Sequence, residues 1–130
     1  MKNLHIDATK YTPQIDLDAQ TGEMYLSGKS YPENTFDFYQ PVIEWVKNYF
    51  DQEGKQEKRK KCKLEMDIVY FNSSSSKLFF DLFDIIEEAQ EQGHTITVHW
   101  LYDAENENAL EAGEDFKEDF DMLDFHLIEK

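Results

Sequence analysis

The spacing of apolar residues along this chain switches between a period of two and a period of three to four, and each switch marks a change of element. Leu4 and Ile6, Ile15 and Leu17, and Met24 and Leu26 each stand two apart, which puts each pair on one face of a short strand. Thr21 and Gly22 supply a turn before the last pair. Two or three short strands are expected, one of them at a sheet edge. From residue 35 the period lengthens. Phe38, Val42, Trp45, Val46 and Tyr49 form one stripe of a helix, with Asn34 or Thr35 as its cap. Pro41 lacks a backbone donor, so either this helix kinks there or a short turn at 35–40 hands over to a helix with Pro41 in its first turn.

Residues 51–63, DQEGKQEKRKKCK, read as a charged, solvated connection. LEMDIVYF at 64–71 then places Leu64, Met66, Ile68 and Tyr70 on one face, with Val69 and Phe71 on the other, as in a strand that starts half exposed and ends buried on both faces. After NSSSS the helical period returns with Leu78, Leu82, Phe83, Ile85, Ile86 and Ala89, stopped by Gly93. TITVHWLY at 95–102 is a further strand, with Ile96, Val98 and Trp100 on one face. A turn, DAENEN, leads to a short helical segment with Ala109, Leu110 and Phe116, and Phe125 to Ile128 close the chain as a strand. The alternation predicts that 64–71 and 95–101 are neighbouring strands joined by a crossover helix over 74–91. The expected fold is a single α/β domain over residues 1–130, a small mixed sheet with helices packed mainly on one face.

Charge narrows the class of partner. Twenty-eight acidic residues against thirteen Lys and Arg give a formal net charge of -15, which repels nucleic-acid phosphates and anionic lipid. The basic run Lys58-Arg59-Lys60-Lys61 has no interleaved aromatics and reads as a solvated loop, so neither a nucleic-acid nor a membrane partner is expected. The single cysteine, Cys62, can form neither an internal disulfide nor a thiol-rich metal cluster, and the N-terminal residues contain no apolar signal core. A cytoplasmic protein without a cofactor is the expectation.

Candidate chemistry is sparse. His5, His94, His99 and His126 have no partner at the short spacing of a metal or triad motif, so no catalytic residue and no metal ligand is assigned. The enzymatic or cation-binding alternative rests on the acidic stretch 103–115 acting together with His99. The stronger feature is Asn72-Ser73-Ser74-Ser75-Ser76-Lys77 at a strand-to-helix junction. A hydroxyl there can cap the helix, and the positive end of the helix can favour a phosphate. Tyr31-Pro32-Glu33-Asn34, entering the first helix, offers a contact surface.

Several separated motifs carry a resemblance to a known family: SYPEN at 30–34, IEWV at 43–46, VYFNSSS at 69–75, DLFDIIEEA at 81–89, VHWLYDAEN at 98–106 and EAGEDFKEDF at 111–120. Together they resemble the SiaC-family regulatory phosphoproteins, a bacterial family similar to STAS-like anti-sigma-factor antagonists. That resemblance implies a non-catalytic partner switch: a Ser/Thr kinase phosphorylates the protein, a PP2C-type phosphatase reverses this, and the unphosphorylated form binds and modulates an effector such as a diguanylate cyclase. The family's phosphoacceptor is a threonine immediately after the asparagine of the junction, which corresponds to Ser73 here. The implied partner surface is Tyr31, Pro32, Glu33, Asn34, Asn72, Ser73, Ser74 and Ser75.

Overall fold

In a computed structural model, which describes residues 1–51 and 61–130, six strands form one sheet in the order β1-β2-β3-β4-β5-β6. The elements are β1 (Leu4–Ile6), β2 (Gln14–Leu17), β3 (Glu23–Ser30), α1 (Thr35–Phe50), β4 (Lys61–Phe71), α2 (Ser73–Glu91), β5 (Thr95–Tyr102), α3 (Glu107–Asp119) and β6 (Asp124–Glu129). The first two pairings are antiparallel and the remaining three are parallel, so the sheet is mixed. Each parallel step needs a crossover, and α1, α2 and α3 supply the three crossovers in turn. The expected neighbours 64–71 and 95–101 are indeed paired, with α2 between them in sequence.

One face of the sheet carries the core. Ile15, Leu17, Met24, Leu26, Leu64, Met66, Ile68, Ile96, Val98, Trp100 and Phe125 all point to it and are buried with the α1 stripe Val42, Trp45, Val46 and Tyr49 and the α2 stripe Phe79, Leu82, Phe83 and Ile86. The opposite face is polar and runs across all six strands in register, as in the row His5, Asp16, Tyr25, Glu65, His99 and His126. The helices therefore lie on one side, as the pattern implies.

Three details differ from expectation. Of the two readings of the first helix, the hand-over after a turn at 35–40 is excluded: Thr35–Phe50 is continuous, with Pro41 inside it. Both Pro41 and Asp37, whose carbonyl loses its donor, are exposed, so water can take that carbonyl. Next, β4 begins at Lys61 and so takes in the last three residues of the expected connection, because Cys62 extends the inward parity of Leu64 and Met66. Lys58 to Lys60, the rest of the basic run, lie outside the described residues.

The third difference is at the other end of β4. Gly28 pairs with Ile68 but Lys29 pairs with Tyr70, so Val69 is an extra residue in a bulge. The bulge reverses the parity, which turns Tyr70 outward and Phe71 inward against Phe79 and Trp100. Val69 and Tyr70 are consequently exposed, where a doubly buried strand end was expected.

Candidate functional site

Because β3, β4 and β5 are parallel, the starts of α1, α2 and α3 all follow strand C-termini at one end of the sheet. Each helix is capped by an asparagine. Asn34 Oδ1 accepts from Asp37 N at 3.1 Å, Asn72 Oδ1 from Ser75 N at 2.9 Å, and Asn106 Oδ1 from Ala109 N at 3.1 Å. Asn106 does a second job, since its Nδ2 donates to the carbonyl of Val69 at 2.9 Å and so holds the β4 bulge to the start of α3.

The serine run belongs to α2 itself, which starts at Ser73 one residue before the expected boundary. Its members have different environments. Ser75 is fully buried, and its hydroxyl donates to the Ser30 carbonyl at 2.8 Å while accepting from Ser30 Oγ at 2.8 Å. Ser30 Oγ also meets the Tyr39 hydroxyl. Each hydroxyl has one proton, so Tyr39 donates to Ser30, Ser30 to Ser75, and Ser75 to the Ser30 carbonyl. This relay ties α1, β3 and α2 together, and burial pushes the Tyr39 phenol well above its ordinary range.

Ser74 is exposed but occupied. Its Oγ donates to Asn72 Oδ1 at 3.2 Å and accepts from Thr35 Oγ1 at 2.8 Å, which bridges the starts of α1 and α2. Ser73 is exposed, and its hydroxyl has no hydrogen bond among the described residues. It opens into a groove of about 470 Å³ between α2 and α3, lined also by Ser76, Lys77, Phe80, Ala112, Asp115, Phe116 and Asp119.

The loop before α1 sits at the same end. Tyr31 stands edge-on between Tyr11 and Tyr70, with centroid separations of 5.2 and 5.1 Å, and its N–H donates to the Tyr11 carbonyl at 2.8 Å. Pro32 is buried, whereas Glu33 and Asn34 are exposed. Of the eight residues implied as a partner surface, Tyr31, Glu33, Asn34, Asn72, Ser73 and Ser74 reach solvent, while Pro32 and Ser75 support them from beneath. Sequence reasoning passed over Ser30, although a polar residue in inward register with Met24 and Leu26 signals a buried hydrogen bond.

The enzymatic alternative does not assemble. His99 lies on the open face of β5, with Glu65 Oε1 at 4.0 Å and the His126 ring at 5.7 Å. The neighbouring Trp100 points to the other face, where its Nε1 donates to the Ala109 carbonyl of α3 at 2.9 Å. The α3 carboxylates and His99 are thus on opposite sides of the sheet. Among the described residues no group of three or more His, Cys, Asp or Glu side chains is placed to hold a metal ion. No helix among them is long and apolar enough to cross a membrane.

Comparison with known proteins agrees with this geometry. The structure of SiaC of Pseudomonas aeruginosa superposes with a TM-score of 0.84 at 33% identity, covering 98% of this chain and 97% of that one. A structure of the diguanylate cyclase SiaD in complex with its activator SiaC, also from Pseudomonas aeruginosa, matches with a TM-score of 0.83 at 35% identity over 97% of each chain. A relative from Pseudomonas aeruginosa strain UCBPP-PA14 is 36% identical over 119 residues, which cover 92% of this chain and 90% of the relative. Residues 6–130 match the family described as SiaC family regulatory phosphoprotein. With a STAS-like α/β fold and an exposed serine at the junction, the chain belongs to the SiaC family, and its role is regulatory rather than catalytic.

Proposed function

We propose that this protein is a cytoplasmic partner switch whose state is written by phosphorylation of Ser73. In the unphosphorylated form, the end of the sheet carrying Tyr31, Glu33, Asn34, Asn72, Ser73 and Ser74 docks on a diguanylate cyclase and modulates it. A Ser/Thr protein kinase adds the phosphate, and a PP2C-type phosphatase removes it. The single observation that carries this is the division of labour in the serine run. Ser75 is buried in a relay, Ser74 bridges two helices and Ser76 is half-buried, which leaves Ser73 as the hydroxyl of the first turn that is both exposed and unengaged among the described residues. The solved complex of the related SiaC with SiaD supports a cyclase as the effector class. Adding phosphate there changes the surface by about -1.5 to -2 charges, and the caps and relay beneath leave the backbone in place.

The test has two steps. Intact-mass and peptide analysis of protein isolated from its host should map phosphate to Ser73. Calorimetry against the diguanylate cyclases of the same organism should then show binding by the unmodified protein and by Ser73→Ala, and its loss on stoichiometric phosphorylation. Equal affinity of the modified and unmodified forms would overturn the proposal, as would modification at Ser74 in place of Ser73.

A further inference from the structure

Lys77 lies one turn beyond Ser73 on α2 and borders two grooves at once. On one side is the α2/α3 groove, where the other ionisable side chains are Asp115 and Asp119. On the other side is a groove of about 730 Å³ between α1 and α2, in which Lys47 and Lys77 stand against Glu44, Asp81 and Asp84. Lys77 is exposed and forms no ion pair among the described residues.

A phosphate on Ser73 enters a groove whose two carboxylates repel it. What favours it is the positive end of α2 together with the ammonium of Lys77. Residues four apart on a helix are neighbours, with Cβ atoms roughly 6 Å apart, so the flexible Lys77 stem reaches the phosphate by a change of rotamer alone. We propose that Lys77 is the residue that reads the state of Ser73. It pairs with the phosphate and thereby withdraws its charge from the α1/α2 groove, a deepening that rests on Ser73 being the acceptor. In the modified form Lys47 alone faces Glu44, Asp81 and Asp84 there. A diguanylate cyclase surface matched to the first charge arrangement, as the proposed function requires, is mismatched to the second, so a modification in one groove alters cyclase docking at its neighbour without backbone movement.

The test uses the full chain with phosphoserine incorporated at position 73 by genetic encoding, which makes it independent of the kinase. The readout is the second ionisation of the phosphate, followed by phosphorus NMR as a function of pH. A nearby cation favours the dianion and lowers this pKa, so Lys77→Met should raise it by about 0.5 unit, the size set by one charge at roughly 6 Å in a water-like medium. High salt should shrink that difference. Asp115→Asn should lower the pKa, and Lys47→Met, which removes a cation from the other groove only, should leave it unchanged. Circular dichroism confirms that each variant is folded. Equal phosphate pKa values in the parent and Lys77→Met proteins would overturn the proposal, as would an equal effect of Lys47→Met. Failure of the Ser73 proposal would register separately, as an unmodified Ser73 in protein from the host.

Discussion

Replacing Ser75 by Ala should separate the structural serine from the available one. The substitution removes the last hydroxyl of the relay, which accepts from Ser30 Oγ and donates to the Ser30 carbonyl, both at 2.8 Å and both buried. Two buried hydrogen bonds contribute about 2 kcal/mol together, and Ser to Ala inside a helix returns about 0.5 kcal/mol, so the net loss is about 1.5 kcal/mol. For a chain of 130 residues the unfolding entropy is about 0.27 kcal/mol/K, and the loss corresponds to a fall in Tm of about 5 °C. Ser73→Ala deletes no hydrogen bond among the described residues, so it should stay within about 0.5 kcal/mol of the parent, on the stabilising side. Urea titration followed by fluorescence of the buried Trp45 and Trp100 measures both variants, with unchanged denaturant slopes as the sign that only the native state is affected. Because Tyr39 reaches Ser75 through Ser30, Tyr39→Phe and Ser75→Ala should also be non-additive in a double-mutant cycle. A Ser73→Ala protein as unstable as Ser75→Ala, or a neutral Ser75→Ala, would refute the division of roles along the run.

Three further outcomes are expected. A Cβ at position 113 would lie 2.5 Å from Trp100 Cδ1 and 2.6 Å from Leu127 Cδ2, so Gly113→Ala should cost about 3 kcal/mol in overpacking, offset by about 1 kcal/mol of helix propensity, and denaturant melts should show a net loss near 2 kcal/mol. Asn106→Asp keeps the cap of α3 but loses the donor to Val69, so it should destabilise by about 0.5–1 kcal/mol, less than Asn106→Ala, which also loses the cap. Hydrogen bonds to Asp16 and then Asp7 raise the pKa of His5 above its ordinary 6.5, so the protonated ring is favoured in the folded state. Its contribution to holding β1 on β2 is therefore fully present below pH 6.5 and is lost as pH rises through the raised value. Asp16→Asn should lower the His5 pKa, as an NMR titration of the ring would show.

Periodicity alone settled which segments are strands and which are helices. Inward strand positions need a spacing of two and helix stripes a spacing of three to four, and the core residues of α1, α2, β4 and β5 obey those spacings without exception up to Ile68. The family was legible as well, since three of its motifs, SYPEN, VYFNSSS and VHWLYDAEN, sit where strands hand over to helices, and the other three carry the helices that follow. Local pattern could not reveal the bulge at Val69, because it depends on the pairing of β4 with β3 and on the Asn106 side chain from a distant element. Nor could it rank the four serines: identical side chains in consecutive positions differ only in what the helix rotation turns them toward. Ser75 meets Ser30 from 45 residues away, Ser74 meets Thr35 from 39 residues away, and Ser73 is turned toward α3 and solvent. The same holds for His99 and the acidic stretch after it, which adjoin in sequence while the pleat of β5 sends His99 and Trp100 to opposite faces, leaving the α3 carboxylates across the sheet from the histidine.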